Sequence, residues 1–268
     1  MACWFSAGGT RAIRSSTILP TKPVIGINMS LSIAGSFSLC DRYAEKIEKA
    51  GGVPLCLPPQ MKSIKRALAM FDGFLFIGGK DYHPKHYGGE EQPPDELIEE
   101  RRDAFDIALA RRILRKTSLP VLAICGGEQL LNIACGGSLV QDIKAKWASY
   151  SGTAPLEHQD GSQHSITIAP DSTLFQIIGK RHIITNSFHH QAINPHGLGK
   201  ELRIVATSDD GIVEAVENTH PIKRFIIGLQ WHPERMEDKS SSRLFTSFVR
   251  AARNFGSSKH PRGDSGRC

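Results

Sequence analysis

Cys125 stands between the apolar run Leu119-Pro-Val-Leu-Ala-Ile124 and Gly126-Gly-Glu-Gln-Leu-Leu-Asn132, which reads as the opening of a helix. A thiol at a sharp strand-to-helix turn is held clear of the backbone, beside free helix N–H groups that favour thiolate over thiol. Such a turn needs small neighbours, and Ala123 and Gly127 flank the cysteine two positions away on either side. By themselves these features fit a buried core cysteine beside a glycine turn equally well. The second element is Phe225-Ile-Ile-Gly-Leu-Gln-Trp-His232-Pro-Glu234, a strand that ends with His and Glu two apart. Residues i and i+2 of an extended segment point to the same side, so the carboxylate reaches the imidazole and fixes its tautomer. Cys125, His232 and Glu234 therefore supply a nucleophile, a base and an orienting group.

The elements that must position them alternate in type. Residues 23–28 read as a short buried strand, 41–50 as a helix capped by Asp41, 53–58 as a strand and 61–70 as a helix. Residues 73–79 form a strand ending in two glycines, and 95–117 the longest helical pattern. This alternation predicts an α/β fold with a mostly parallel central sheet covered on both faces. After residue 160 five strand-like stretches follow too closely for crossover helices, so antiparallel strands are expected there. A last helix covers about 240–254. No repeat or linker divides the chain, and one domain over residues 22–256 is expected.

The net charge of +6 is mostly terminal: residues 1–22 carry three of the surplus positive charges and residues 257–268 two. A near-neutral body argues against a nucleic-acid surface. Residues 1–21 are expected to be a disordered extension, their acid-poor, Arg- and Ser-containing composition being also that of an organellar transit peptide. Residues 257–268 are expected to be a disordered basic tail. No apolar run approaches the ~18 residues of a membrane span. The six cysteines contain no CxxC pair, so a reducing compartment, the cytoplasm, is expected. Cys56 and Cys135 sit in apolar runs, which predicts buried free thiols. His158, His164, His182 and the pair His189-His190 are spaced irregularly and lack accompanying cysteine pairs, so no metal site is expected.

Cys-x-Gly-x-Gln (Cys125, Gly127, Gln129), followed by Leu-Leu-Asn and Gly136-Gly137, resembles the class I glutamine amidotransferases, as does Gly228-x-Gln-x-His-Pro-Glu234. Within them the chain is most similar to the γ-glutamyl-GABA hydrolase branch. That narrower likeness rests on Gly78-Gly79-Lys-Asp81-Tyr-His-Pro84 with Tyr87, Arg102-Asp103, Gly137-Ser-Leu-Val-Gln141-Asp142, Asn186-Ser187-Phe-His189-His190-Gln191 and Asp210-Gly211-Ile-Val-Glu214. The branch usually has Arg where Gly126 stands and an apolar residue where Glu128 stands.

The resemblance implies a flavodoxin-like amidotransferase fold and a cysteine hydrolase that cleaves the γ-glutamyl amide of a small amine, such as γ-glutamyl-GABA or a γ-glutamyl polyamine. It implies oxyanion contacts from the Gly79 and Gly126 backbone. It also implies substrate contacts from Gln129, Phe188, His190 and Gln191, although only one of two adjacent histidines can face a pocket. No metal or organic cofactor is required. The expected partner is the small substrate, with a homodimer allowed and neither nucleic acid nor membrane involved. The rival readings are a glutaminase subunit passing ammonia to a synthase and an inactive amidotransferase-like binding protein. A papain-type protease lacks support, because Cys125 has no CGSCW-like surroundings.

Overall fold

The computed structural model describes residues 22–59, 62, 64–93, 96–219 and 224–259. The expected N-terminal extension lies outside them. Nine strands form one sheet: β1 Val24–Asn28, β2 Val53–Leu57, β3 Gly73–Phe76, β4 Val121–Ile124, β5 Ser162–Ile168, β6 His182–Ser187, β7 Leu202–Ser208, β8 Val213–Asn218 and β9 Ile226–Leu229. Their spatial order is β2-β1-β3-β4-β9-β8-β7-β5-β6. Pairing is parallel from β2 through β9 and antiparallel from β9 to β6. The mostly parallel sheet with antiparallel strands in the C-terminal half is thus present.

Side chains alternate along the central strands. Phe74, Phe76, Val121 and Ala123 enter one apolar layer, whereas Leu75, Leu122 and Ile124 enter the other. Helices α3 (Glu100–Lys116) and α4 (Gly126–Ala134) contribute to the first layer, and α1 (Asp41–Lys49) and α7 (Lys239–Lys259) to the second. Burial on both faces explains why these strands are continuously apolar. Among the described residues there are also three shorter α-helices, α2 (Ile64–Leu68), α5 (Ile143–Ser151) and α6 (Thr173–Ile178), and two two-stranded sheets.

Several local expectations need correction. Cys40, not Asp41, is the N-cap of α1, and its side chain caps nothing. The helix α3 begins at Glu100, where the Glu99 carboxylate accepts from the Arg101 and Arg102 N–H groups. Cys56 is exposed because β2 is an edge strand, and Cys135 is half-buried. The last helix continues to Lys259, inside the segment expected to be a disordered tail. Lys259 Nζ donates to the Phe71 carbonyl there, and Gly256 lies so close to Asp72 that a methyl group would fall 2.7 Å from its carboxylate. Residues 260–268 lie outside the described part.

Candidate active site

The centre of the sheet delivers Cys125 to the carboxyl end of β4, where open α/β sheets place their ligands. Cys125 is the N-cap of α4 with φ 53° and ψ −114°, a backbone conformation that strains any residue with a Cβ. Hydrogen bonds impose it. Its N–H donates to the Leu229 carbonyl at 2.7 Å, and its own carbonyl accepts from Glu128 N at 2.9 Å and Gln129 N at 3.2 Å. Gly127 has no alternative, since a methyl group there would lie 2.5 Å from the Phe76 carbonyl oxygen. The small residue expected at this position thus has a specific steric cause.

His232 and Glu234 meet differently from the expected strand alternation. Strand β9 ends at Leu229, and Pro233–Arg235 form a single 3₁₀ turn. That turn, rather than pleating, swings the Glu234 carboxylate to 2.6 Å from His232 Nδ1. Asn186 clamps the histidine backbone from both sides: His232 N–H donates to its Oδ1 at 2.9 Å and its Nδ2 donates to the His232 carbonyl at 3.0 Å. Burial by itself would push the imidazole pKa down. The facing Cys125 sulfur, to which His232 is hydrogen-bonded, and the Glu234 carboxylate outweigh burial and raise it to about 10. Both neighbours thus favour the protonated form of the His232 ring.

The glycine loop after β3 lies against the elbow. A methyl group on Gly78 would come within 3.6 Å of Cys125 Sγ, and one on Gly126 within 3.3 Å of Gly79 N. Gly79 and Gly126 are therefore neighbours at the thiol. Arg102 holds the loop, with Nη2 donating to the Gly78 carbonyl at 3.1 Å and Nε to Asp106 at 3.2 Å. Tyr43, from α1, closes the other side: its hydroxyl accepts from Gly78 N at 3.5 Å and contacts Glu234. Burial first, then the nearby Glu234 and Cys125, raises the Tyr43 pKa well above the usual phenol value. The phenol therefore stays protonated.

Gln129 on α4 donates from Nε2 to the Gln191 carbonyl at 3.2 Å and to Gln230 Oε1 at 3.1 Å. His190 and Gln191 bind the two oxygens of Asp81, at 3.0 Å and 2.6 Å. Their side chains thus anchor the segment to the glycine loop. Phe188 stands edge-on to the His232 ring at 5.5 Å, with the Arg235 guanidinium over its face at 4.2 Å. His189 turns the opposite way from His190, towards His158, as expected for adjacent histidines.

Tyr43 carries no sequence signal, and Asp81, Asn186 and Arg102 stand in motifs whose spacing assigns them no role. Their partners are distant in sequence, so no local spacing marks them. Glu128 is fully buried, and its carboxylate meets no well-formed hydrogen bond, only a weak contact with the Val216 backbone. Burial first, then Glu214 and Cys125, raises its pKa well above the usual carboxylate range.

The model of the family Peptidase C26 matches residues 23–234. The chain belongs to the Peptidase C26 family. Among C26 relatives, the γ-glutamyl-γ-aminobutyrate hydrolase PuuD of Escherichia coli is 30% identical over 247 residues, covering 87% of this chain and 94% of that protein. A glutamine amidotransferase-like protein of Rickettsia prowazekii is 31% identical over 87% of this chain and 98% of its own length. A solved protein of the GMP synthase type from Thermoplasma acidophilum superimposes with a TM-score of 0.64 at 15% identity, over 89% of this chain and 98% of that one. At that identity the likeness concerns the fold alone. Membership makes this C26 chain a hydrolase of the glutamine amidotransferase-like type. Among the described residues no helix is long and apolar enough to cross a membrane.

Proposed function

We propose that the chain hydrolyses the γ-glutamyl amide bond of a small γ-glutamyl amine, with Cys125, His232 and Glu234 as catalytic triad. The observation that carries this reading is His232, fixed by Glu234 at 2.6 Å and paired with a thiol at a strained elbow. Cys125 Sγ attacks the γ-carbonyl, and the carbonyl oxygen takes up negative charge facing the Gly79 and Gly126 N–H groups. The His232 imidazolium gives its proton to the leaving nitrogen as the C–N bond breaks, and the amine departs. Water then loses a proton to His232 and attacks the γ-glutamyl thioester, releasing glutamate and the thiol. Gln129 and the backbone of Phe188–Gln191 hold the glutamyl end.

The amine end is less constrained. Gly126 brings no charge to the place where the resembling hydrolases usually carry Arg, so neutral and cationic amines are better accepted than acidic ones. Glutamate release from γ-glutamyl-GABA, γ-glutamyl-putrescine and glutamine tests both statements. Turnover of a γ-glutamyl amine, with putrescine preferred over GABA, supports the reading. Turnover of glutamine alone would replace it with the ammonia-delivering alternative. Cys40, Cys56, Cys125 and Cys135 are all free thiols, which suits a reducing compartment such as the cytoplasm.

A further inference from the structure

Away from the thiol, in the antiparallel half of the sheet, lies a buried group that the proposed reaction does not use. Strand β7 stops at Ser208, opposite Ile166, so the part of β5 that carries His164 extends past its end to Glu214 on β8. His158, His164, His189 and Glu214 are 2%, 6%, 5% and 0% exposed, which leaves their polar atoms no bulk water to satisfy them. Three imidazole nitrogens converge on one carboxylate oxygen, Glu214 Oε1: His164 Nε2 at 2.9 Å, His158 Nδ1 at 3.6 Å and His189 Nε2 at 3.9 Å.

The outer hydrogen bonds decide which nitrogens carry protons. His189 Nδ1 lies 2.9 Å from the Gln191 carbonyl, which can only accept, so Nδ1 bears the hydrogen and Nε2 presents a lone pair. His189 Nε2 has no hydrogen-bond partner, and neither has Glu214 Oε2. His158 Nε2 is 3.0 Å from Asp210 Oδ2. Asp210 also accepts from Ser208 Oγ and Leu156 N; although burial opposes ionisation, these bonds and His158 keep it an anion with a lowered pKa. His158 therefore donates from Nε2, and its Nδ1 faces Glu214 at 3.6 Å and Ser187 Oγ at 3.3 Å. The His189 Nε2 lone pair and the Glu214 carboxylate, directed at one dry point without a donor between them, repel one another.

We propose that His158 Nδ1, His164 Nε2 and Glu214, whose ligand atoms lie within 4.8 Å of one another, form a structural site for one divalent zinc ion, which His189 Nε2 completes by a small side-chain rotation. Donors at the usual 2.0–2.1 Å from tetrahedral zinc stand about 3.3 Å apart; His164 Nε2 and His158 Nδ1 lie 2.9 Å and 3.6 Å from Glu214 Oε1, and His189 Nε2 at 3.9 Å must move inward to join them. Three imidazoles and a carboxylate are a donor set suited to zinc and unsuited to magnesium or calcium. The Asp210 contact to His158 and the Gln191 carbonyl contact to His189 are the outer-shell bonds that metal-binding imidazoles generally keep. The irregular sequence spacing hid the site because its ligands come from a loop, two strands and a strand end. His182 and His190, which the sequence offered equally, lie elsewhere: His182 meets Thr167 and His190 meets Asp81. The ion ties His189 to β5 and β8, and through the Gln191 carbonyl, shared with Gln129, it steadies the segment beside the thiol.

The test is zinc binding by the full chain, stripped with a chelator and alkylated at its thiols so that Cys125 cannot bind the ion. Titration against a chromophoric chelator should show one zinc per chain. His164→Gln and His189→Asn should each weaken binding at least about 100-fold, and Asp210→Asn about 10- to 100-fold. Cobalt(II) on the unsubstituted chain should give the intense visible bands of a tetrahedral site, a readout that does not depend on the variants folding. Failure of the unsubstituted chain to retain one equivalent, a weak octahedral cobalt spectrum, or zinc affinity unchanged in soluble His164→Gln and His189→Asn would overturn the proposal. The cluster would then be a proton-sharing network. Neither result bears on whether the chain cleaves γ-glutamyl amides.

Discussion

Cys125 joins two demands that conflict: a φ of 53° that disfavours any side chain and a sulfur that the chemistry requires. The strain amounts to about 1–3 kcal/mol. Cys125→Gly should therefore be more stable than Cys125→Ala by about 1 kcal/mol in urea unfolding, with both variants at least about 10³-fold less active than the native chain. Equal stability would show that the elbow is unstrained. His232 gives a second expectation. Its proton is needed at the leaving amine and its pKa is raised to about 10, so kcat/KM should fall only as pH climbs through that value. Glu234→Gln removes one of the charges that raise it. The alkaline limb should then move to lower pH and kcat should drop roughly 10²–10⁴-fold; an unmoved limb would separate Glu234 from the histidine. Cysteine, histidine and glutamate were legible in the sequence because the chemistry restricts their types. Tyr43 and Asn186 were not, because a phenol against Gly78 and an amide bracketing a backbone depend on strands and helices meeting across the sheet.

The helix α4 combines positioning with a defect. Its first residues hold the elbow, yet Glu128 in its first turn packs against Gly228 of β9, whose absent side chain makes room for it. A buried carboxyl group without a well-formed hydrogen bond destabilises by about 1–3 kcal/mol. Glu128→Leu, restoring the apolar character usual in the resembling hydrolases, should raise Tm by roughly 2–4 °C per kcal/mol recovered. A lower Tm would mean that Glu128 has a partner essential to the fold. The positions of the central strands were legible from unbroken apolar runs. The turn that carries Glu234 was not, since His-Pro-Glu reads equally as a strand end, and only the proline-led 3₁₀ geometry distinguishes the two. Helices α5 and α6 also escaped notice, being short and flanked by weak apolar patterning.

In the whole molecule the parallel half of the sheet carries the thiol and its base, while the edge strand β6 of the antiparallel half supplies Asn186 and the segment after it the Phe188–Gln191 strip. That division follows from β9, which is parallel to β4 and antiparallel to β8. The alternating half was readable in advance; the meeting of its edge with the site was not, because strand order is a property of long-range pairing. The ends of the chain bear on stability in an asymmetric way. A chain of residues 22–259 should match the full chain in Tm, whereas ending it at 256 removes the Lys259 contact to Phe71 and should cost about 0.5–1.5 kcal/mol. Equal stability of the two truncations would return residues 257–259 to the tail. The central claim is a γ-glutamyl group carried on Cys125. Acid-quenching the native chain during turnover of γ-glutamyl-putrescine, followed by intact-mass and peptide analysis, tests it most directly. The account predicts one γ-glutamyl adduct per chain, confined to the peptide with Cys125 and absent from Cys125→Ala. Steady turnover without an adduct, in a chain whose Cys125→Ala variant remains active, would contradict it.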